Sequence, residues 1–562
     1  MIPQDLFAKH RALLDEAVEA TGKRAYWSPF PEAPSQRIYG ETAAADGEVA
    51  FQARLGNAAL ADQAAKIEMT ASDEMSPFGL TLDTRYPLLD IDRSIDRAKD
   101  SAVAWRKAGP EGRIGVCIEI LQRLNRRSFE MAHATMHTTG QAFVMAFQAG
   151  GPHAQDRGLE AVAYSWKAMT DQTAGTRWEK PQGKNPPVVM DKWFEIAGRG
   201  VGLVIGCATF PTWNSYPGLF ASLAAGNPVL VKPHPAAVMP LAITVEVARD
   251  VLRDCGFDPD LVQLFVDRAD APIGKSLALH PDIRLIDFTG SSAFGDWLEH
   301  HARQAVVFTE KAGVNTVIID STDDFNGMTR NLALSLSLYS GQMCTTPQVI
   351  FIPRGGIATE AGSISCEAVE AAIVAAVERL LADPERAGDV LGAIQSPATL
   401  ERLDAAAGLG NVLLPSRAAA HPKYPEARIR TPLILSLNGE AEDQYGREWF
   451  GPITMLVRVA DTAEALDRAK RLNGKAGALT ASLYSVDPVI CDAAEEVFIA
   501  SGTALSVNLT GPILVNQSAA FSDFHGTGAN PAANAALCDP AFVASRFRVI
   551  PRRRYVPTPL SA

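Results

Sequence analysis

Three side chains in this 562-residue chain have the types and settings needed for acyl chemistry. Cys344 lies in SGQMCTT, Glu310 in FTEKAG and Asn214 in FPTWNSYP. A thiolate attacks a carbonyl carbon, an amide donor holds the oxyanion that forms, and a carboxylate activates the water that hydrolyses the resulting thioester. If a hydride leaves for a cofactor between those steps, the sum is oxidation of an aldehyde to a carboxylate. A free thiol titrates near ~8.5 and is only a few per cent thiolate at neutral pH. The site must therefore lower that value or take the proton in passing. The bland alternatives are an inert buried thiol, a surface ion pair of Glu310 with Lys311, and a turn asparagine beside Pro211.

Such groups need strand ends to hold them, and the pattern supplies strands. The spacing predicts a strand at Val201–Ile205, a helix at 218–225 and a strand at Val229–Lys232. A helix at 240–254 and strands at 262–266 and 284–288 follow, and FTGSSAFG opens the next helix. Strands alternating with helices imply a parallel sheet wrapped on both faces. A second series is expected from Val306, with strands at 316–320, 349–352, 452–459 and 479–484 and helices at 325–340 and 366–382. Cys344 then falls between a helix and a strand, Glu310 at a strand end, and Asn214 at a strand-to-helix turn. Upstream, a helix is expected at 5–21, irregular coil at WSPFPEAP, and helices through 91–170. The stretch after Trp178 and the Arg-rich tail Phe547–Val556 read as further strands.

Hydrophobic residues make up 47% and charged residues 21%, an ordinary globular balance that excludes disorder and fibres. The net charge of −12 disfavours nucleic acid and anionic membrane as partners. Seven cysteines without a CxxC make neither a disulfide framework nor a zinc ribbon. The first twenty residues carry charge throughout, so no secretory leader is expected, and no apolar run is long enough to span a bilayer. A cytoplasmic protein with reduced thiols is the expectation.

Other signatures fail on inspection. GRGVG at 198–202 enters a strand instead of following one, so it is not a dinucleotide fingerprint. Gly274-Lys275-Ser276 resembles the end of a phosphate loop, but Ala269 stands where its first glycine belongs. His133 and His137 have the spacing of a zinc pair, yet Ala134 replaces the glutamate of a zincin and no third ligand joins them. They are expected to be structural, and no metal is expected. Asn508-Leu-Thr510 is a sequon without meaning in a cytosolic chain.

Taken in order and spacing, FPTWN, FTGSSAFG, FTEKAG, SGQMCTT and WFGPI resemble the aldehyde dehydrogenase superfamily over roughly residues 90–530. The 34-residue separation of Glu310 and Cys344 fits it. The extended N-terminus, KPHP at 232–235 and FSDFHGTGANPAAN are most like the stand-alone semialdehyde dehydrogenases of phenylacetate ring-opening degradation. The resemblance implies an α/β, aldehyde dehydrogenase-like fold of two parallel-sheet Rossmann-type lobes plus a β oligomerisation arm. It implies a discontinuous dinucleotide-binding domain (1–178 and 201–305), a catalytic domain (306–520), and an arm and tail (179–200 and 521–562). Cys344 becomes the nucleophile, Asn214 the oxyanion donor and Glu310 the general base. Cofactor contacts are implied for Trp213, Lys232, His234, Gly290, Ser291, Gly295, Glu448 and Phe450, with pyrophosphate at the helix N-terminus opened by Gly290 and Ser291.

One departure bears on the cofactor. Relatives that prefer NAD carry a glutamate three residues after the lysine, and here that position is Pro235, preceded by His234. Loss of a carboxylate beside Lys232 removes repulsion against a 2′-phosphate, so NADP is expected to be preferred, with NAD possible. Lys275 or Arg268 could add charge. The expected reaction is oxidation of a semialdehyde, CoA-linked in the phenylacetate reading, to its carboxylate. The segment after the dehydrogenase lobes is too short for a fused hydratase-like domain, so ring hydrolysis is expected of a separate protein. The alternatives are a CoA-acylating dehydrogenase, which generally lacks the water-activating glutamate, and a catalytically silent scaffold. A homodimer or tetramer is expected through the strand arm, with Arg546, Arg548, Arg552, Arg553 and Arg554 decorating it as a solvated face or an ion-pair set.

Overall fold

The computed structural model describes residues 2–311, 313–511 and 518–557. Val201–Ile205 and Val229–Lys232 are unbroken apolar runs, apart from the terminal lysine, and both are buried along their whole length. Strands covered on both faces have this texture, with no alternation to solvent. They lie in a five-stranded parallel sheet ordered Val262–Leu264, Val229–Lys232, Val201–Ile205, Ile283–Thr289, Val306–Glu310. The chain winds outward from Val201–Ile205 in one direction and then returns to its other side. Loops leaving the two central strands therefore diverge and open a crevice, where ligands bind in such sheets.

Val306–Glu310 corrects an expectation. It pairs with Ile283–Thr289, Thr289 opposite Glu310, so it closes the first sheet instead of opening the second, and the border at 305/306 falls too early. The second sheet has seven strands, ordered Asn411–Leu414, Leu433–Asn438, Ile453–Val459, Val349–Pro353, Thr316–Ile319, Thr480–Tyr484, Ala504–Val507. All pairs are parallel except the antiparallel edge strand Asn411–Leu414. Helices cover it on both sides, Phe325–Ser337 and Cys366–Leu380 on one face, Thr462–Lys475 and Pro488–Ala500 on the other.

The N-terminal helices share a core with the first sheet. Leu6, Leu121, Leu159 and Phe220 pack in one cluster with Val204 and Val231. The helix after Val201–Ile205 begins at Pro211, well before the expected 218, and runs to Ala224 with Pro217 inside it. Proline at the first helical position costs nothing, because its missing N–H would have had no partner there. Pro217 forfeits only one intrahelical bond.

A three-stranded antiparallel sheet places Asn185–Gly198 between Gly175–Gln182 and Phe547–Val556. Its strands are mostly exposed, and Ile550, Tyr555 and Trp193 present apolar surface. Two expectations about the tail are corrected. Residues 521–546 do not belong to the arm, since Phe521, Cys538, Phe542 and Val543 pack into the first core. Arg546 is ion-paired, as one expectation had it, but it precedes the strand and does not decorate its face. It is fully buried, and its Nη1 and Nη2 donate to both oxygens of Asp287 at 2.8 and 2.6 Å. Among the described residues no helix is long and apolar enough to cross a membrane.

Candidate active site

A cavity of about 760 Å³ opens where the two central strands of the first sheet diverge, and it reaches across to the second sheet. Cys344, Glu310, Asn214, Lys232, His234, Gly290, Ser291, Glu448 and Phe450 all line it. Trp213 and Gly295 are not among its lining residues. The Trp213 ring meets the His525 ring edge-on at 4.6 Å. A Cβ added at Gly295 would lie 2.6 Å from the Lys311 stem. Gly295 thus lets that lysine pass beneath the cavity toward Asp296 and Glu299, which its Nζ approaches to 2.8 and 3.1 Å. Lys311 is accordingly not paired with Glu310.

Cys344 is held by backbone geometry that only its own loop sequence permits. Helix Phe325–Ser337 ends in a tight turn, Leu338–Gly341, in which Tyr339, Ser340 and Gly341 all have left-handed backbones. At Gly341 a Cβ would come within 2.4 Å of the Gly451 carbonyl, so glycine is required by both angle and space. Tyr339 anchors the turn by donating to the Thr139 carbonyl. Gln342 donates to Ala393 O at 3.0 Å and accepts from Gln395 N–H at 2.9 Å. Asn315 donates to Cys344 O at 2.8 Å and Thr346 O at 3.1 Å. Its own oxygen accepts from the N–H groups of Leu479 and Thr480, which ties the loop to a neighbouring strand.

Glu310 and Asn214 meet directly. Asn214 Nδ2 donates to Glu310 Oε2 at 2.8 Å, and both residues are buried. The amide has a second hydrogen left for another oxygen. A residue the motif analysis did not single out completes the group. His525 Nε2 lies 3.6 Å from Cys344 Sγ and 3.0 Å from Glu310 Oε1. Glu310 Oε1 thus faces both the ring nitrogen and the thiol. Burial pushes the Glu310 carboxyl up, but His525, Cys344 and Asn214 together hold it below its usual value. Burial and the Glu310 charge both push the Cys344 thiol well above its usual value. The donor atoms of Glu310, Cys344 and His525 lie within 4.8 Å of one another. A soft metal could suit those donors, but it would occupy the sulfur that the chemistry needs free, and we read the three as a proton-transfer group.

His525 is delivered by a segment that staples both sheets together. Asn530 donates to Ala478 O and Gly502 O, and Asn534 exchanges hydrogen bonds with Thr309 N–H and Val307 O. Lys311 N–H donates to Ala532 O at 2.6 Å. The one available signal was the polar string FSDFHGTGANPAAN, whose histidine and asparagines have no amphipathic period to serve.

At the opposite end of the cavity lies a carboxylate that the sequence argument took to be absent. Asp267, from the loop after Val262–Leu264, brings Oδ1 to 2.7 Å from Lys232 Nζ, and its Oδ2 accepts from the Ile273 N–H. Buried Oδ1 accepts no directed hydrogen bond. Arg268 is spent on Asp270 and Asp73, and Lys275 lies over the Trp297 ring. His234 sits at the rim, its Nδ1 accepting from the Ala236 N–H. Ser291 begins helix Ser292–His301 without a side-chain cap, which leaves that helix end open to an anion. An uncapped helix start and a carboxylate paired with a lysine suit the pyrophosphate and a ribose hydroxyl of a dinucleotide.

Between the two ends stand Glu448 and Phe450. Arg402 donates to Phe450 O at 2.6 Å, while Gln348 donates to Arg447 O and accepts from Trp449 N–H. Gln348 lies on the cysteine loop, so this turn and the thiol move as one piece. Burial pushes the Glu448 carboxyl up to about 7, against the pull of Arg402.

A family model described as the aldehyde dehydrogenase family matches residues 85–513. The crystal structure of an NAD-dependent aldehyde dehydrogenase from Burkholderia multivorans is 55% identical, with a TM-score of 0.96, covering 98% of this chain and 99% of that one. An N-succinylglutamate 5-semialdehyde dehydrogenase of Burkholderia multivorans is 27% identical over 443 residues, 78% of this chain and 84% of that protein. A 1-pyrroline-5-carboxylate dehydrogenase of Bacillus subtilis is 23% identical over 445 residues, 78% of this chain and 81% of that protein.

Proposed function

The chain belongs to the aldehyde dehydrogenase family, and from that premise we propose that it oxidises a semialdehyde to its carboxylate with NAD, through a covalent intermediate on Cys344. The observation that carries this reading is the convergence of a thiol, an amide and a carboxylate at one end of a cavity whose other end offers an uncapped helix start and the Lys232–Asp267 pair.

Cys344 Sγ attacks the aldehyde carbon to give a thiohemiacetal. The free hydrogen of Asn214 Nδ2 stabilises the developing oxyanion. When bound, the nicotinamide supplies the acceptor for the hydride that leaves this carbon. Glu310, kept ionised, takes a proton from water, and the resulting hydroxide attacks the thioester and frees the sulfur. Lys232, Asp267, Gly290 and Ser291 hold the adenosine and pyrophosphate part of the cofactor. Glu448 and Phe450 hold the nicotinamide ribose, with His234 at the rim. Trp213 and Gly295 act from behind the wall as positioning residues.

NAD in place of NADP rests on Asp267. The missing glutamate at Pro235 had suggested a site without a negative charge, but Asp267 brings one from another strand to the same lysine. A carboxylate there welcomes a ribose hydroxyl and repels a phosphate, and the similar NAD-dependent enzyme of Burkholderia multivorans agrees with this choice.

The finer substrate reading is a CoA-linked semialdehyde from aromatic ring opening, as in phenylacetate catabolism. KPHP and FSDFHGTGANPAAN support it by resemblance. The relatives named for N-succinylglutamate semialdehyde and pyrroline carboxylate favour semialdehydes that bear a carboxylate. We assign residues up to about Glu310 that share the first core, with 521–546, to the cofactor-binding unit, the second sheet to the catalytic unit, and the three-stranded sheet to assembly of a dimer or tetramer. The test is product analysis with free and CoA-linked semialdehydes, each with both cofactors and with and without added CoA. Carboxylate formed with NAD and water alone supports the reading. Reduction of cofactor only when CoA is supplied would replace it with acyl transfer.

A further inference from the structure

We infer that His525 is the group that removes the proton from Cys344, so that the nucleophile is readied by a thiol–imidazole pair instead of by the glutamate alone. The inference rests on the covalent reading above and deepens it. His525 Nε2 is placed toward Sγ at 3.6 Å, in hydrogen-bond geometry for sulfur, and Glu310 Oε1 lies 3.0 Å from the same nitrogen, where its charge favours a protonated ring. The other oxygen of Glu310 is already accepting from Asn214. The ring cannot drift, because His525 is 3% exposed, pinned by Trp213 edge-on and by paired backbone bonds with Leu537.

The need for a base in contact follows from the surroundings. Buried beside the Glu310 carboxylate, with Cys207 and Glu448 as further acidic groups, the thiol resists ionisation. Arg157, on the other side of the Trp213 ring, is committed to Glu160. No cation among these groups faces the sulfur unless His525 becomes one. The proton balance closes. The S–H bond breaks and an N–H bond forms at Nε2, which requires the neutral ring to carry its hydrogen on Nδ1. The sulfur's electron pair goes to the carbonyl carbon, and the adjacent Glu310 carboxylate stabilises the imidazolium. When the thioester is hydrolysed, Glu310 takes the proton of water and later releases it to solvent, and the departing sulfur recovers its own proton from Nε2.

Alkylation of Cys344 by iodoacetamide across pH, followed by peptide mass mapping without aldehyde or cofactor, tests this apart from turnover. His525→Gln and His525→Asn are compared with the wild type, with NAD binding as the check that each variant folds. At neutral pH both variants should be alkylated at least ~tenfold more slowly, with the inflection moved to higher pH, and kcat/KM should fall by ~100-fold or more. Unchanged alkylation profiles in folded variants would overturn the inference, as would slowing by Glu310→Gln alone, which would make Glu310 the base. Neither outcome touches the covalent reading, which fails separately if the wild type alkylates readily but oxidises no aldehyde.

Discussion

Asp267 Oδ1 lies 2.7 Å from Lys232 Nζ at the far end of the cavity from the thiol. The lysine comes from one strand and the carboxylate from the loop after the next, so no local string displays the pair. In the proposed reading their juxtaposition favours NAD. Asp267→Asn keeps the shape and removes the charge, and the ratio of kcat/KM for NADP over NAD should rise ~tenfold or more, about 1.4 kcal/mol of differential binding. Steady-state kinetics with both cofactors checks this, and an unchanged ratio would remove Asp267 from the selectivity argument.

Asn214 should be worth more in rate than in binding. Its Nδ2 is tied to Glu310 in the resting site, and its second hydrogen is needed only when oxyanion charge develops. Asn214→Ala is expected to lower kcat by about 10²–10³ with little change in aldehyde KM. A rise in KM at constant kcat would mean that the amide merely holds the ground state.

Glu448 gives the cofactor step a pH dependence. With its carboxyl raised to about 7, it is mostly protonated below neutral pH and ionised above. Ribose hydroxyls donate to the ionised form, so KM for NAD should rise as pH falls through 7. Glu448→Gln should flatten that dependence while raising KM at high pH. Stability runs in the opposite direction. A carboxyl raised in the fold resists ionisation there, so its contribution improves as pH falls from about 7 toward the ordinary carboxyl range. An identical pH profile in the variant would assign the titration elsewhere.

The buried Arg546–Asp287 pair ties the tail to the first sheet. Arg546 also donates to Ser222 Oγ at 2.8 Å and lies over the rings of Phe308 and Phe542. Removing one charge strands the other, so Asp287→Ala should cost about 3–5 kcal/mol. A lowered thermal midpoint with residual activity retained at low temperature is the expected result.

The buried strands were legible because burial on both faces writes itself as a continuous apolar run, and Val201–Ile205 and Val229–Lys232 lie where the sequence puts them. Cys344, Glu310 and Asn214 were legible because each sits in a compact string. The partners that complete the site were not. His525 reaches Cys344 across 181 residues, and neither periodicity nor spacing encodes that meeting. The early helix start at Pro211 was hidden because two prolines in the helix read as loop. Val306–Glu310 looked like a new beginning because its sheet partner is known only from pairing. Arg546 looked like one of five arginines decorating a strand, solvated or ion-paired, because burial of a charge depends on a distant carboxylate.

Trapping the intermediate tests the central claim most directly. Intact-mass and peptide mass spectrometry of enzyme quenched during turnover, using Glu310→Gln to slow hydrolysis, should find the acyl group of the aldehyde on Cys344 and should find none in Cys344→Ala, which should also be inactive. Steady aldehyde oxidation by Cys344→Ala, or an acyl group accumulating on another residue, would contradict the account.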